Sequence, residues 1–258
     1  MDLPMRRSLW ARSLLLQSCW NFERMQNLGL AYALEPWLRR LYPEPGARLA
    51  ALSRHQDFFN TNPYTAPLIM GMVCALEEEA AGLPEDARQE KLARISALKK
   101  ASAPPLAGLG DALFWQTLRP FCAAGAITAA LCLWKLAGLA AALVGMASCY
   151  LLVYNMAAWT LRWRGLRLGY EWRERIATNL KGYPWQAWIK RLRLGGTVLA
   201  AVPLISVFII GRGERAVAFL ALLLCLIADR VTLKAVSPVR LYAGAGVLGA
   251  AASLAGWL

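Results

Sequence analysis

Eight side chains near the start of the chain combine hydrogen-bonding groups with aromatic surface. Asn21, Glu23 and Arg24 lie in QSCWNFERMQNLG (Gln17–Gly29), Asn60, Thr61 and Asn62 in RHQDFFNTN (Arg54–Asn62), and Asp111 and Trp115 in GDALFW. Amides, hydroxyls and carboxylates of this kind hold an ion, or a neutral sugar whose C–H faces rest on aromatic rings, the mix that residues 17–27 and 57–62 supply. Other chemistry is poorly supplied. His55 is the single histidine, and the six cysteines show no Cys-x-x-Cys spacing, so neither a metal site nor a disulfide framework is expected. There is no Gly-x-Ser-x-Gly elbow, Walker loop or dinucleotide fingerprint, and no bound cofactor is expected. A membrane-bound transferase built on clustered Asp and His ligands therefore has little support.

The elements that would position these groups belong to a membrane protein. Of 258 residues 58% are hydrophobic, and the apolar residues collect into runs, most of them after Pro120. Leu136–Leu161 carries no charge and is long enough to cross about 30 Å of hydrocarbon as a helix. Leu194–Gly211 and Leu241–Leu258 are uncharged as well. Phe121–Trp134 and Ala216–Ala228 are shorter. They are either tilted, re-entrant or lengthened by their neighbours, or they are buried core helices. The expected fold is an all-α integral membrane protein with about five hydrophobic segments in residues 113–258. Arg6 and Arg7 resemble the start of a signal peptide, but Arg12 interrupts the apolar stretch after them, so no cleavable signal is expected.

The net charge of +13 is lopsided: residues 1–112 hold 13 Lys/Arg against 12 Asp/Glu, and residues 113–258 hold 16 against 4. The densest stretch, Arg162–Arg193, has nine basic residues and two acidic ones. Basic residues among Trp and Tyr also suit nucleic acid, but a short basic loop between hydrophobic segments is what the positive-inside rule places in the cytoplasm, with aromatics at the interface. A cytoplasmic loop over 162–193 is expected, and no nucleic-acid partner. With that loop inside, Leu136–Leu161 runs inward, Phe121–Trp134 runs outward, and residues 1–112 begin in the cytoplasm.

Residues 1–112 form a polar helical region of amphipathic and re-entrant or broken helices. On a 3.6-residue period, Gln17–Tyr32 places Leu15, Phe22, Met25, Gly29 and Tyr32 on one face and Gln17, Glu23, Arg24 and Asn27 on the other, with Trp20 among them and Asn21 at the edge. This helix either lies in the membrane interface with a solvated polar side or lines a hydrated cavity. Farther on, Pro63 and Pro67 interrupt the chain before the apolar Leu68–Leu76. That pattern is either a broken helix of the kind that lines transporter sites or a proline-capped loop before a core helix. The run Glu77-Glu78-Glu79 reads as a solvated helix end and His55 as a structural histidine. Glu85–Lys100 reads as a charged surface helix, and Pro104, Pro105, Gly108 and Gly110 as a bent, closely approaching backbone. Asp111, Trp115 and Arg119 recur at i, i+4 and i+8 on one helical face.

Three stretches together, QSCWNFERMQNLGLAYALEPWLRRLY, RHQDFFNTNPYTAPLIMGMVCALEEE and PLAGLGDALFWQTLRP, resemble the IID subunit of mannose/fructose/sorbose-family phosphotransferase sugar transporters. RGLRLGYEW (Arg164–Trp172) looks like that family's basic Gly-Tyr segment. Departures are Asn62 where histidine is expected, Pro104 where glycine is expected before Pro105, and Gln116 where glycine is usual. The resemblance implies a multi-pass subunit in the bacterial inner (cytoplasmic) membrane that is not an enzyme by itself. Such a subunit carries a hexose together with a IIC membrane subunit, in trimers of IIC–IID heterodimers surrounded by membrane lipid. IIB phosphorylates the sugar, IIA supplies IIB, and phosphoenolpyruvate is the donor. The phosphorylated residues lie on IIA and IIB. On this reading Asn21, Glu23, Arg24, Asn60, Thr61 and Asn62 face IIC and the sugar route, Trp20 and Trp115 support a sugar face, and Asp111 either positions the bent segment or binds sugar. The alternative is a regulatory or structural subunit that assembles without transporting.

Overall fold

The computed structural model describes residues 1–210, excepting the side chains of 204 and 206–210. The expected segments Ala216–Ala228 and Leu241–Leu258 lie outside the described residues. Residues Met1–Gly196 form one compact unit, and a second begins at Thr197. The described chain is helical, with β pairing limited to two isolated bridges, Asn21 with Met25 and Met25 with Phe59.

The first helices start where local chemistry satisfies their free N–H groups. In α1 (Leu3–Ser13) the Asp2 carboxylate accepts the Met5 N–H at 2.9 Å, and in α3 (Pro45–Arg54) the Glu44 carboxylate accepts that of Ala47 at 2.7 Å. Pro4 and Pro45 occupy first-turn positions whose missing N–H has no helical partner in any case. Between these helices lies α2 (Asn27–Leu41). The centre of the unit is α4 (Ala66–Ala81), apolar on every side and buried from Ala66 to Leu76, as such a stretch must be. The Trp37 indole N–H of α2 donates to the Cys74 carbonyl of α4 at 2.8 Å.

After α4 one helical run continues through α5 (Glu85–Gly110), a π-helix (Asp111–Leu118) and α6 (Arg119–Trp172). α5 carries Pro104 and Pro105 within its helical span. The π-helix ends just before Pro120, whose ring would meet the carbonyl four residues earlier in α geometry. α6 is broken at Gly138, which has φ 82° and ψ −179°. A Cβ built on Gly145 would come within 2.0 Å of the Leu133 side chain. Residues twelve apart on a straight helix are separated by about 18 Å, so α6 folds back at Gly138 into a hairpin. Phe121–Trp134 thus lies in an arm lengthened by its neighbours, the first of the arrangements the sequence left open. The run from Glu85 to Gly182 contains the stretch, among the described residues, that is long and apolar enough to cross a membrane, with 6% of its apolar window buried in protein. A 3₁₀ turn (Arg173–Arg175), α7 (Ile176–Gly182) and α8 (Trp185–Ile210) come next.

Several expectations are corrected. Gln17–Tyr32 is not one helix: residues 14–26 are turns. The Asn21 carboxamide captures the Arg24 N–H at 2.8 Å, and Met25 adopts φ 58°, which a right-handed helix cannot continue. Pro67 falls in the first turn of a helix buried in protein, the second of the two readings the sequence left open. Arg162–Arg193 is helical over most of its length rather than a loop, because its first residues complete α6 against α4. Finally, Glu77-Glu78-Glu79 is solvated only in part, with Glu78 exposed and Glu79 half-buried. Glu77 is buried, Glu78 accepts the Tyr170 hydroxyl, and Glu79 pairs with Lys91 at 2.7 Å and Arg173 at 2.8 Å.

Candidate functional site

Three sequence motifs, far apart in the chain, are fastened to one another by hydrogen bonds. Gln26 is the clasp between the first two. Its Nε2 donates to the Thr61 carbonyl at 2.9 Å, and its Oε1 accepts the Thr61 N–H at 3.1 Å. Backbone bonds run beside it, from Gln26 N to the Phe59 carbonyl at 2.8 Å and from Phe59 N to the Arg24 carbonyl at 3.3 Å. Asn27 adds a bond to the Gln56 carbonyl at 3.0 Å while accepting from Asn21 at 3.0 Å. The second and third motifs join where the Thr61 and Thr65 hydroxyls donate to the Ala103 and Leu106 carbonyls of α5, at 2.9 and 3.0 Å.

The seam ends at Asn62 and Asp111. Asn62 Nδ2 donates to Asp111 Oδ1 at 2.9 Å, and Asn62 Oδ1 accepts the Tyr64 N–H at 3.0 Å. This approach requires a glycine, since a Cβ on Gly110 would lie 2.4 Å from the Asn62 Cβ. The close backbone expected here is found at Gly110 and not at Gly108, which has open space around it. Tyr64 continues the site as an aromatic wall, stacked on Phe114 at 4.1 Å and 6.1 Å from Trp115. The Tyr154 hydroxyl donates to that of Tyr64 at 3.0 Å. Beyond the wall, the Arg119 guanidinium lies 5.2 Å over the Trp115 ring.

The eight expected site residues divide into two groups. Glu23, Arg24, Asn60, Asp111 and Trp115 are exposed, with Glu23 and Arg24 paired at 3.2 Å. Thr61 and Asn62 are buried and spend their polar atoms on the seam. Asn21, half-buried, shapes its own turn. Sequence reasoning missed the roles of Gln26, Tyr64 and Arg162. Gln26 stood in the first motif without distinction. Arg162 is a charge directly after an uncharged run; it is buried, lies 5.2 Å over Tyr64 and donates to the Ser13 carbonyl at 2.7 Å.

A separate buried cluster braces the unit. Glu77 accepts from Tyr42 at 2.8 Å and Arg54 at 3.0 Å, and its Oε1 lies 3.0 Å from His55 Nε2. Burial alone would raise the Glu77 carboxyl, but the His55 bond, the neighbouring positive charges and the Tyr42 hydroxyl outweigh it and hold it below the ordinary glutamate range. Burial lowers His55 against the pull of Glu77, which favours the neutral ring with Nε2–H donating to the carboxylate. Among the described residues no three His, Cys, Asp or Glu side chains are grouped to hold a metal ion.

A chain whose described residues are helical, with an apolar run of lipid length and polar motifs drawn into a protein-lined seam, has the make-up of a membrane protein. The chain belongs to the mannose/fructose/sorbose family of phosphotransferase-system (PTS) IID components, whose family profile matches residues 3–208. It is 36% identical over 195 residues to the PTS system mannose-specific EIID component of Escherichia coli (strain K12), covering 75% of this chain and 62% of the relative. It is also 36% identical over 181 residues to the PTS system sorbose-specific EIID component of Klebsiella pneumoniae, covering 68% of this chain and 59% of that one. The chain therefore spans less than two thirds of the length of these curated relatives. Among solved structures it is similar to a chain in the cryo-EM complex of the mannose transporter ManYZ with microcin E492 (MceA). That match has 27% identity and a TM-score of 0.57, and it covers 99% of this chain and 97% of the other.

Proposed function

We propose that this chain is the IID half of a permease that translocates a hexose together with a IIC subunit, delivering the sugar to IIB for phosphorylation at the expense of phosphoenolpyruvate through IIA. One observation carries the reading: three motifs converge into a single hydrogen-bonded seam, yet Glu23, Arg24, Asn60, Asp111 and Trp115 keep their side chains exposed. Polar groups on a membrane subunit are costly unless they meet protein or water. The family and the mannose and sorbose relatives support IIC as the protein and a hexose as the solute. In this reading Asn60 and Asp111 bind sugar hydroxyls, Trp115 covers a C–H face, and Glu23 and Arg24 meet IIC. Asn21, Thr61 and Asn62 hold these groups in place.

The test is uptake and phosphorylation of labelled hexoses in cells expressing the chain with its IIC, IIB and IIA proteins. Asn60→Ala and Asp111→Asn should each lower uptake at least about tenfold, as loss of a charged or buried hydrogen bond to ligand does, while IIC still co-purifies. Unchanged uptake in both variants would remove Asn60 and Asp111 from the sugar route. A wild-type complex that assembles but carries no hexose would identify the transport-inactive alternative.

A further inference from the structure

We propose that the groove between α1 and the second arm of α6 binds the headgroup of an anionic phospholipid. The groove has a volume of about 630 Å³ and is walled by Arg7 and Trp10 of α1 and by Trp159, Thr160, Trp163 and Arg164 of α6. Apart from the Thr160 hydroxyl, its side chains offer donors without acceptors. The Arg7 and Arg164 guanidinium groups make no ion pair or hydrogen bond among the described residues, and no acidic side chain lines the groove. The Trp10 indole N–H is buried and has no acceptor. Behind it, the Arg6 guanidinium lies 3.8 Å over the Trp163 ring, and Trp163 meets Trp10 edge-on at 6.3 Å. Two unpaired guanidinium residues lining one groove, with an unsatisfied indole N–H buried in its wall, call for an anionic oxygen cluster, and a phosphodiester fits the planar fork of arginine.

Position selects a lipid over a soluble anion. The groove sits where the uncharged stretch Leu136–Leu161 gives way to charged residues, the level at which tryptophan and arginine gather at a membrane surface. Leu152, Met156 and Trp159 succeed one another at helical spacing toward it and are exposed by 62, 63 and 50%. They form an apolar ridge along which an acyl chain can lie while its headgroup occupies the groove. A zwitterionic headgroup brings its own cation toward two unpaired guanidinium groups, so phosphatidylglycerol should be preferred to phosphatidylcholine.

The test is native mass spectrometry of the full chain in mild detergent, titrated with phosphatidylglycerol, with phosphatidylcholine of the same acyl chains, and with glycerol 3-phosphate as the free headgroup. Phosphatidylglycerol should be retained at least about fivefold better than phosphatidylcholine, and glycerol 3-phosphate should not bind at the same concentration. The double variant Arg7→Gln, Arg164→Gln should lower phosphatidylglycerol retention about tenfold, and Trp10→Phe, which removes the N–H together with the pyrrole half of the indole, about threefold. Neither should alter phosphatidylcholine retention, and the arginine double variant should leave the lipid-free melting temperature unchanged. Equal retention of the two lipids, or undiminished phosphatidylglycerol binding in both variants, overturns the proposal. Glycerol 3-phosphate binding as well as the lipid, or phosphatidylglycerol expelled when IIC is co-purified, likewise overturns it in favour of a soluble anion or a protein interface.

Discussion

A carboxylate withdrawn from water stays ionised only if its neighbours replace the lost hydration, and Glu77 is held in this way by Tyr42, Arg54 and His55. Glu77→Gln keeps the shape but removes the charge, leaving Arg54 and the His55 N–H with a weaker acceptor. Breaking a buried pair costs about 3–5 kcal/mol, and Arg54 keeps 30% of its side chain in water. The lower figure, about 3 kcal/mol, is therefore expected and should appear as a fall in melting temperature in detergent. The same cluster sets a pH dependence. Glu77 is lowered on folding, so its contribution is present above the unfolded value of 4.5 and is lost as pH falls through the folded one. His55 is also lowered: the unfolded chain takes up a proton near 6.5 before the folded chain does, and acidification below that value again destabilises. The melting temperature should therefore fall from pH 7.5 to 5. His55→Gln should flatten that slope near pH 6, and an unchanged slope would assign it to other groups. The polar motifs were legible as candidates because amides and carboxylates are conspicuous in an apolar chain. Their division of labour was not. Thr61 and Asn62 are spent on partners 35 to 49 residues away, which no local pattern displays.

Helix α4 is central because α6 lies against it backbone to backbone. A Cβ on Gly169 would come within 1.9 Å of the Leu68 carbonyl oxygen, and one on Gly71 within 2.1 Å of that of Leu166. Gly165 and Gly169 are four apart on one face, the small-residue spacing that lets helices in membranes approach closely. Gly169→Ala must push the two backbones apart, because a carbonyl oxygen cannot swing aside as a side chain does. A loss of about 3 kcal/mol is expected, the upper end for overpacking. At Gly165 the added Cβ meets the Leu68 nitrogen at 3.3 Å, so strain and the gain in helix propensity nearly cancel. At Gly108 nothing lies within 4 Å, and alanine should stabilise by up to about 1 kcal/mol. Melting curves of the three variants would rank them Gly108→Ala, Gly165→Ala, Gly169→Ala, and any other order would contradict a backbone-to-backbone contact at Gly169. Element types were legible where composition is one-sided, as in Leu136–Leu161 or the charged start of α5. Gln17–Tyr32 misled because its apolar spacing is helical while Asn21 and Met25 make a turn. Arg162–Arg193 misled because its charges read as a loop although Gly165 and Gly169 bind it to α4.

At the scale of the whole molecule, the hairpin at Gly138 bears on how the chain meets the bilayer. Its arms, Arg119–Ala137 and Leu139–Leu161, would be about 28 and 34 Å long at 1.5 Å per residue. The second exceeds a hydrocarbon core of about 30 Å, and the first, at 19 residues, falls within the range of spanning helices. Leu136, Leu139, Leu143 and Val144 near the bend are exposed by half or more, as lipid-facing residues are. A bend that reverses direction puts the two ends of the hairpin on one side of the membrane and its tip on the other. The excess of basic residues after Leu161 selects the cytoplasm for the ends. The arms then cross in opposite directions, and Lys135, three residues before the bend, lies at the outer surface. This topology is a prediction with a direct readout. In a background freed of native cysteines, Ala137→Cys should react with a membrane-impermeant maleimide added outside spheroplasts. Lys181→Cys and Ser96→Cys should react only after the membrane is permeabilised. Labelling of Ala137→Cys that also requires permeabilisation would mean a hairpin entering and leaving without crossing, and the +12 excess of residues 113–258 would need another explanation than sidedness.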